Sequence, residues 1–276
     1  MDQLLEQAVV AITGGARGIG RASAEQLAAA GGRVAIGDLD GEAAAKAASD
    51  IGKRAIGIQV DVTDHDSFEA FLEQAEAELG PLDGLVNNAG VMLLGPIDEE
   101  DPEQTGTMIA VNLTGVINGT RLAISKMKPR HRGRIINIAS QAGKAGLSGG
   151  ATYCATKFGV IGFSESVRQE LKGSGVGISW ILPGVVDTAM TAGLPDTRLM
   201  EMLSPDEVAS AVVKAMKEGG SEVWVPARNQ WLDAPLRLLP RHLRERVFAM
   251  TGADQVLAGA DPERRRGYEG PISGDS

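Results

Sequence analysis

The chain alternates short apolar runs with helix-length segments, and this alternation is its strongest constraint on the fold. The runs lack the alternating polar positions of a half-exposed strand, which is typical of parallel strands buried on both faces. Strands are predicted at Ala8–Thr13, Arg33–Gly37, Arg54–Val60, Leu82–Asn87, Arg134–Ala139, Gly177–Leu182 and Glu222–Val225. Helices are predicted at Gly18–Ala30, Gly41–Asp50, Asp66–Leu79, Glu103–Met127, Thr152–Leu171 and Pro205–Lys217. This order predicts one α/β domain with a doubly wound, seven-stranded parallel sheet flanked by helices. Its ligands should bind outside the carboxyl ends of the strands.

Composition narrows the class of protein and of partner. Hydrophobic residues make up 43% of the chain and aromatic residues 4%, which suits close packing of helices on a sheet. The net charge of −9 disfavours nucleic acid as a partner. The single cysteine, Cys154, allows no internal disulfide, and no apolar run approaches the roughly 18 residues that span a bilayer. With an acidic amino terminus in place of a signal peptide, these features predict a cytoplasmic protein. The histidines are scattered without ligand spacing, so no metal is predicted.

A glycine-rich turn follows the first predicted strand, in the segment Thr13-Gly14-Gly15-Ala16-Arg17-Gly18-Ile19-Gly20. Glycines there permit a tight turn and let a pyrophosphate approach the backbone at a helix N-terminus. A strand precedes the turn, a helix follows it, and an acidic residue ends the second strand. Together these features predict a dinucleotide site rather than an ordinary β–α turn.

The acidic residue lies in the pair Asp38-Leu39, and it bears on the choice of cofactor. Its carboxylate can accept hydrogen bonds from ribose hydroxyls and repels a 2′-phosphate, which favours NAD over NADP. Arg17 favours NADP, because a guanidinium in the turn can pair with that phosphate. Placing a phosphate dianion beside a carboxylate costs more free energy than a pairing with one exposed arginine contributes, so NAD is predicted. Asp61-Val62 follows the third strand, where the Asp61 carboxylate can bind the adenine amino group. Asp61 can alternatively cap the next helix, and Asp64 can equally be that cap.

Tyr153 and Lys157 are four residues apart, and such positions share one face of a helix. A phenol, with a pKa of about 10, is a poor base at neutral pH, but a neighbouring cation favours the phenolate and lowers that pKa. A tyrosine tuned in this way can take a proton from an alcohol or give one to a carbonyl. Ser140, after the fifth strand, can donate a hydrogen bond to the same oxygen. Cys154 has no histidine-centred site beside it and is interpreted as a small buried residue.

These motifs, in this order, resemble the short-chain dehydrogenase/reductase family. The resemblance runs from about Ala8 to Val225. It is carried by Thr13–Gly20, Asp61-Val62, Asn87-Asn88-Ala89-Gly90, Asn112, Ser140, Tyr153-x-x-x-Lys157 and Pro183-Gly184. It implies a Rossmann-like single domain, a nicotinamide cofactor, and a homodimer or homotetramer that pairs through the Glu103–Met127 and Thr152–Leu171 helices.

The resemblance implies a role for each matched residue. Tyr153 would be the acid/base, and Lys157 would lower its pKa and hold the nicotinamide ribose. Ser140 would hydrogen-bond the substrate oxygen. Asn112 would anchor a water in a proton relay through Lys157, although a lone asparagine in a helical pattern is usually a solvated or packing residue. The cofactor cleft would be lined by Asn88, Ala89 and Gly90 and closed at its nicotinamide end by Pro183, Gly184, Val186 and Thr188.

Three segments should frame the reacting carbon: Val91–Ile97, Gln141–Gly150 and Ala189–Ser204. They are rich in leucine and methionine and carry few charges, so the cleft suits an apolar alcohol or ketone, although several of these side chains should pack under their own loops. The candidate substrate contacts are Ser140, Gln141, Met92, Leu147, Met190 and Leu194.

The chain continues beyond the strand near which shorter family members end. Residues 1–228 are interpreted as the catalytic domain, and residues 229–276 as an extension that packs on this domain, over the substrate cleft, or on a neighbouring subunit. Pro235–Met250 carries an apolar and a basic stripe at helical spacing: Leu239, Leu243 and Val247, and Arg237, Arg241 and Arg244. Such a helix is also compatible with anionic lipid. Packing is favoured, because Pro240 interrupts the helix.

The sequence therefore predicts an NAD-dependent oxidoreductase that transfers a hydride between nicotinamide and an apolar secondary alcohol or ketone. An NADP-linked carbonyl reductase is the alternative within the same class. A nucleotide-sensing binding protein without turnover is the alternative from another class, and the intact Ser140, Tyr153 and Lys157 disfavour it.

Overall fold

The computed structural model describes residues 5–195, 202–240, 242–243, 246, 252 and 255–273. In this part of the chain, seven strands form one parallel sheet: β1 (Val9–Thr13), β2 (Arg33–Asp38), β3 (Ala55–Gln59), β4 (Leu82–Asn87), β5 (Gly133–Ile138), β6 (Val176–Pro183) and β7 (Glu222–Val225). The strand order is β3-β2-β1-β4-β5-β6-β7, so the winding direction reverses between β1 and β4. The predicted doubly wound α/β fold is confirmed, and its switch point lies at the carboxyl ends of β1 and β4.

Helices cover both faces of this sheet. They are α1 (Gly18–Ala29), α2 (Gly41–Ile51), α3 (His65–Leu79), α4 (Pro102–Ile109), α5 (Gly115–Met127), α6 (Ala151–Glu170) and α7 (Pro205–Glu218). Alternate residues of β1 point to opposite faces, as the pleat requires. Val10 and Ile12 join one buried core with residues of α1, α2 and α7, whereas Val9 and Ala11 join a second core with residues of α3, α5 and α6.

The predicted helix Glu103–Met127 is interrupted. A π-helical turn, Ala110–Thr114, separates α4 from α5, and Asn112 lies inside it and is fully buried. Such turns widen the backbone locally and are frequent at functional sites. The periodicity of the apolar residues does not reveal this insertion, because the helical pattern continues on both sides.

A buried network of amides and hydroxyls ties the middle of the sheet to the helix that carries Tyr153. The Asn87 side-chain amide in β4 donates to Asn137 Oδ1 at 2.8 Å, and the Asn137 side-chain amide in β5 donates to Ser164 Oγ at 2.9 Å. Asn87 also reaches Thr120 Oγ1 in α5 at 3.2 Å. Buried networks of this kind fix one arrangement of their elements, so α6 is held in register on the sheet.

The C-terminal region contributes α8 (Arg228–Leu238) and α9 (Pro262–Ser273). Pro235 lies inside α8 rather than at the beginning of a helix. Of the two predicted stripes, Arg241, Arg244 and Val247 lie outside the described residues. No helix in the described part of the chain has the length and apolar character needed to cross a bilayer.

Candidate active site

The glycine turn is packed so tightly that side chains are excluded. Gly14 and Gly18 have φ angles of 60° and 54°, in the left-handed region. A Cβ atom at Gly20 would lie 2.2 Å from the Gly14 carbonyl oxygen, and one at Gly14 would lie 2.8 Å from Ala89 Cα. The turn therefore rests directly on the residues that follow β4, Asn88 and Ala89.

The N-terminus of α1 is left open by this turn. Helices α2, α3, α4 and α7 begin with a side-chain cap from Asp40, Asp64, Asp101 and Ser204 respectively. Helix α1 follows Arg17, and no side chain caps it. Its first N–H groups are thus available to an anionic ligand, and glycine backbone surrounds them. These observations fit the pyrophosphate of a dinucleotide.

Hydrogen bonds join the residues that follow β4 to the glycine turn. The backbone N–H groups of Asn88 and Ala89 both donate to Thr13 Oγ1 at 3.1 Å. The Asn88 side-chain amide donates to the carbonyl oxygens of Thr13 and Gly14, each at 2.9 Å. Asn88 therefore fixes the two switch-point strands together at the edge where a ligand would enter.

Asp38 ends β2 beside the turn. Its carboxylate accepts hydrogen bonds from Ala16 N at 3.1 Å and Asp40 N at 3.3 Å, which holds it at the rim. Arg17 is exposed, and its guanidinium pairs with Asp40 at 3.6 Å rather than with Asp38. The side chain of Leu39 is 66% exposed at the same rim.

Of Asp61 and Asp64, which could equally cap the next helix, Asp64 is the cap. Asp64 caps α3 through Asp66 N at 2.8 Å and Ser67 N at 3.2 Å. Asp61 instead binds the backbone and hydroxyl of Thr63, at 2.8 and 2.7 Å, through one carboxylate oxygen. Val62 is buried against Gly115, where an added Cβ would lie 3.0 Å from Val62 Cγ2.

Tyr153 lies on the first turns of α6, buried in an apolar cluster. Burial raises the pKa of its phenol far above the ordinary value, and the Ser140 hydroxyl lies close enough to lower that pKa in part. The lowering by Lys157 expected from the sequence is not observed. Desolvation is the largest cause of the raised pKa, because a phenolate in an apolar environment loses its hydration.

Lys157 is one turn further along α6, and its side chain is only 5% exposed. Its Nζ lies 5.7 Å from the centroid of the Tyr153 ring and donates to the Ile138 carbonyl oxygen at 3.1 Å. Burial lowers the pKa of Lys157 to about 8. No carboxylate pairs with it among the described residues, which is unusual for a buried lysine and makes it a candidate functional group.

Asn112 and Gly90 complete the surroundings of Lys157. The Asn112 amide exchanges two hydrogen bonds with the backbone of Val91, both at 2.8 Å, and also reaches Thr156 Oγ1 at 3.3 Å. An added Cβ at Gly90 would lie 3.3 Å from Asn112 Oδ1 and 3.8 Å from Lys157 Nζ. Asn112 therefore fixes the loop after β4 beside the lysine.

The loop after β6 approaches the glycine turn from the other side. Pro183 ends β6, Gly184 N donates to Val225 O at 2.9 Å, and Val186 is buried. A Cβ at Gly18 would lie 3.3 Å from Thr188 Cγ2. The loop after β6 therefore lies against the glycine turn, next to the open N-terminus of α1.

Four of the predicted substrate residues gather around Tyr153. Met92, Leu147, Met190 and Leu194 belong to one apolar cluster with its ring. Gln141 differs from the expected role, because its amide donates to Val225 O at 2.9 Å and accepts from Asn229 at 3.0 Å. Its side chain thus ties β7 to the start of α8. Residues 196–201 of the third framing segment lie outside the described residues.

Comparison with known proteins decides the family. The sequence profile described as short chain dehydrogenase matches residues 8–199. The chain belongs to the short-chain dehydrogenase/reductase family. An uncharacterized oxidoreductase of Mycobacterium bovis is 38% identical over 224 residues, which cover 77% of this chain and 91% of the relative. A 3-oxoacyl-(acyl-carrier-protein) reductase of Escherichia coli is 38% identical over 218 residues, covering 79% and 86%. A cis-4-hydroxycyclohexanecarboxylate dehydrogenase of Sinomonas cyclohexanicum is 35% identical over 235 residues, covering 81% and 94%.

This short-chain dehydrogenase/reductase is therefore an oxidoreductase, with a Rossmann-like sheet that holds the motif residues at one edge. Cys154 is buried, and burial raises the pKa of its thiol, which disfavours the thiolate nucleophile. The described residues contain no group of three metal-ligating side chains.

Sequence reasoning missed two residues at this site, Arg265 and Tyr268. Both come from α9 and lie against the loops that frame Tyr153. One signal was available, since the chain has only two tyrosines and Tyr268 is the second. The spacing of α9 gives no indication of where the helix docks.

Proposed function

We propose that this chain is an NAD-dependent oxidoreductase that interconverts an apolar secondary alcohol and its ketone, with Tyr153 as the acid/base. The observation that carries the proposal is the buried pair of Tyr153 and Lys157, with the Ser140 hydroxyl beside the phenol. A phenol, an unpaired ammonium and a hydroxyl in one apolar cleft are the groups that proton transfer to a carbonyl oxygen requires.

The raised pKa of Tyr153 supports a proton-donating role. At neutral pH the group is the neutral phenol, which can give its proton to a carbonyl oxygen as that oxygen gains negative charge. Ser140 donates to the same oxygen. Lys157 stabilises the phenolate that remains, because its ammonium is held near the ring. In the reverse direction the phenolate accepts the alcohol proton.

The residues at the switch point fit a dinucleotide, and NAD is the one we propose. A bound nicotinamide cofactor supplies the hydride transfer. The glycine turn and the N-terminus of α1 would hold its pyrophosphate, Asp38 and Leu39 its adenosine ribose, and Asp61 and Val62 its adenine. Asn88, Ala89, Gly90 and Lys157 would hold the nicotinamide side, with Pro183, Gly184, Val186 and Thr188 facing them.

One observation favours the second candidate, an NADP-linked reductase. The Arg17 guanidinium is exposed at the rim, paired only with the exposed Asp40. Such surface pairs are weak, so Arg17 can turn to a 2′-phosphate at little cost. We favour NAD, because two backbone N–H groups anchor the Asp38 carboxylate beside the turn, where it would repel that phosphate.

Replacing Asp38 by alanine is expected to lower the preference for NAD over NADP, measured as the ratio of kcat/KM values, about 10–100-fold. Removal of a carboxylate eliminates the repulsion of the 2′-phosphate and the bonds to the ribose. Glu42→Ala, an exposed acid in the first turn of α2, is the control for a change in net charge alone. An unchanged ratio in Asp38→Ala would refute the role of Asp38.

The apolar cluster around Tyr153 supports the proposed substrate class. Its members include the apolar side chains of Met92, Leu147, Met190 and Leu194. The relatives named as a 3-oxoacyl reductase and as a hydroxycyclohexanecarboxylate dehydrogenase suggest the same ketone and secondary alcohol chemistry. A cytosolic location stays a prediction from the single cysteine.

A panel of apolar secondary alcohols and ketones, followed with both cofactors at the reduced-nicotinamide absorbance, tests the proposal. We expect turnover with NAD on at least one apolar pair. Turnover confined to charged substrates, or none at all with both cofactors, would contradict it.

We propose in addition that the chain forms a homodimer or homotetramer through α5 and α6. Phe158 on α6 is 46% exposed, as is fitting for a contact residue. Light scattering should give the mass of two or four chains, and Phe158→Arg should reduce that mass. Leu232→Arg, on the exposed face of α8, should leave it unchanged. Dissociation by Leu232→Arg alone would assign the interface to the extension instead.

A further inference from the structure

The C-terminal segment contacts all three loops that frame Tyr153. Arg265 reaches the loop after β4 and the loop after β6 through backbone carbonyls. Leu257 and Ala258 pack against the loop before α6. A Cβ at Gly149 in that loop would be 2.7 Å from Ala258 Cα. A Cβ at Gly150 would be 2.4 Å from Leu257 Cδ1. The segment therefore forms a wall of the cleft rather than a distant appendage.

Arg265 binds the C-terminal segment to two of the framing loops. Its side chain is 2% exposed, although a buried guanidinium is costly unless its N–H groups are satisfied. It donates to Met92 O at 2.7 Å, Met190 O at 3.1 Å and Ala192 O at 3.2 Å, and it pairs with Glu269 at 2.5 Å. One side chain thus joins two framing loops to α9, and undocking the helix would break its three hydrogen bonds to carbonyl oxygens.

A close backbone approach supports the same docking. Gly193 has a φ angle of 79°, and a Cβ there would lie 2.8 Å from Asp261 O and 3.1 Å from Arg265 Cγ. Asp261 N donates to Gly193 O at 2.8 Å. Because glycine alone permits this contact, the loop after β6 and the start of α9 are matched to each other.

Tyr268, one turn beyond Arg265, brings a hydroxyl to this wall. The hydroxyl oxygen accepts from Met92 N at 3.0 Å, and the ring lies with its centroid 5.5 Å from the Arg265 guanidinium carbon. The hydroxyl proton has no acceptor among the described residues, although the hydroxyl of a mostly buried phenol normally both donates and accepts a hydrogen bond. Burial raises the pKa of Tyr268 to about 12, so that proton is present at neutral pH. The group is near enough to Tyr153 for its charge to affect that phenol.

We propose that Tyr268 is a specificity-determining residue whose hydroxyl donates a hydrogen bond to an acceptor oxygen that the substrate carries away from its reacting carbon. Arg265 is its positioning residue, because it fixes α9 and Met92 together. The inference rests on the proposed function, since it assigns the substrate to the cleft of Tyr153. The preferred substrate is then an apolar ketone or alcohol with one further carbonyl or ester oxygen.

The test compares two ketones of matched shape, ethyl 3-oxohexanoate and 4-nonanone, of which only the first carries the additional oxygens. Dissociation constants are measured by calorimetry on the protein loaded with reduced NAD in a Tyr153→Phe background, where turnover is slow. Adding Tyr268→Phe is expected to weaken binding of the keto ester about tenfold and to change 4-nonanone by less than about twofold. Glu263→Gln, at an exposed position of α9, is the control and should change neither.

Each alternative outcome is decisive. Equal weakening of both ketones would show that the hydroxyl only satisfies Met92 N, and it would overturn the proposal. An unchanged constant for the keto ester, or no binding of it to the protein with Tyr268 intact, would do the same. If the wild-type chain turns over neither ketone yet the tenfold difference appears, the proposed oxidoreductase function fails on these ketones while the role of Tyr268 stands. If Tyr268→Phe does not fold, Arg265→Lys replaces it in the test. This change keeps the positive charge but removes the planar guanidinium with its several donors, so it should also weaken binding of the keto ester alone.

Discussion

Replacing Tyr153 by phenylalanine is expected to lower kcat by about 10²–10⁴-fold, the range that general acid/base catalysis supplies. The phenylalanine ring keeps the packing in the apolar cluster, so the change removes only the proton carrier. Turnover is measured at the reduced-nicotinamide absorbance with the best substrate of the panel. Binding of the reduced cofactor is measured by fluorescence titration.

Cofactor affinity should stay within about threefold of wild type in Tyr153→Phe, because the turn and Asp38 are untouched. Cys154→Ala is the matched control, since it alters the neighbouring buried position without removing the phenol. Activity of Tyr153→Phe within tenfold of wild type would contradict the assignment of Tyr153 as acid/base.

Replacing Lys157 by methionine should abolish most turnover and at the same time stabilise the fold. Burial lowers the pKa of Lys157 from 10.5 to about 8, a difference worth about 3 kcal/mol of unfolding free energy. The variant also loses the hydrogen bond from Lys157 Nζ to Ile138 O, which offsets about 1 kcal/mol of the gain in stability. A net gain of about 2 kcal/mol is therefore expected at neutral pH, measured by denaturant unfolding of the protein without cofactor.

The pH dependence of this gain has a defined sign. The unfolded chain holds the lysine proton up to a pH of about 10.5, whereas the folded chain releases it from about 8. The wild type thus bears the cost of a buried ammonium below pH 8, and this cost disappears as the pH rises towards 10.5. The advantage of Lys157→Met should shrink over the same window. Lys172→Met, at an exposed position, should show no such trend, and a pH-independent difference for Lys157→Met would contradict the account.

Much of the fold was predictable because its physical signals are local. The strands Leu82–Asn87 and Glu222–Val225 have the predicted bounds, and each of the other strands differs by one residue at one or both ends. Buried parallel strands appear as continuous apolar runs, and glycines or capping residues mark their ends. The π-helical turn at Asn112 was not predictable, because the helical pattern of apolar residues continues through it and the Asn112 partner, Val91, lies 21 residues away in the chain.

The candidate site was predictable to the extent that motifs place residues at the ends of strands. The structure brings Ser140, Tyr153, Lys157 and the glycine turn to one edge of the sheet, as the topology requires. The pKa of Tyr153 was not predictable, since desolvation depends on the side chains that surround it. Nor was the framework role of Gln141, whose partners Val225 and Asn229 are more than 80 residues away.

A crystal structure of the chain with NAD tests the central claim most directly. We predict that the pyrophosphate lies at the N-terminus of α1, that the adenosine ribose contacts Asp38, and that the Tyr153 hydroxyl faces the nicotinamide ring. A dinucleotide bound elsewhere on the sheet, or a Tyr153 hydroxyl directed away from the nicotinamide, would contradict the account.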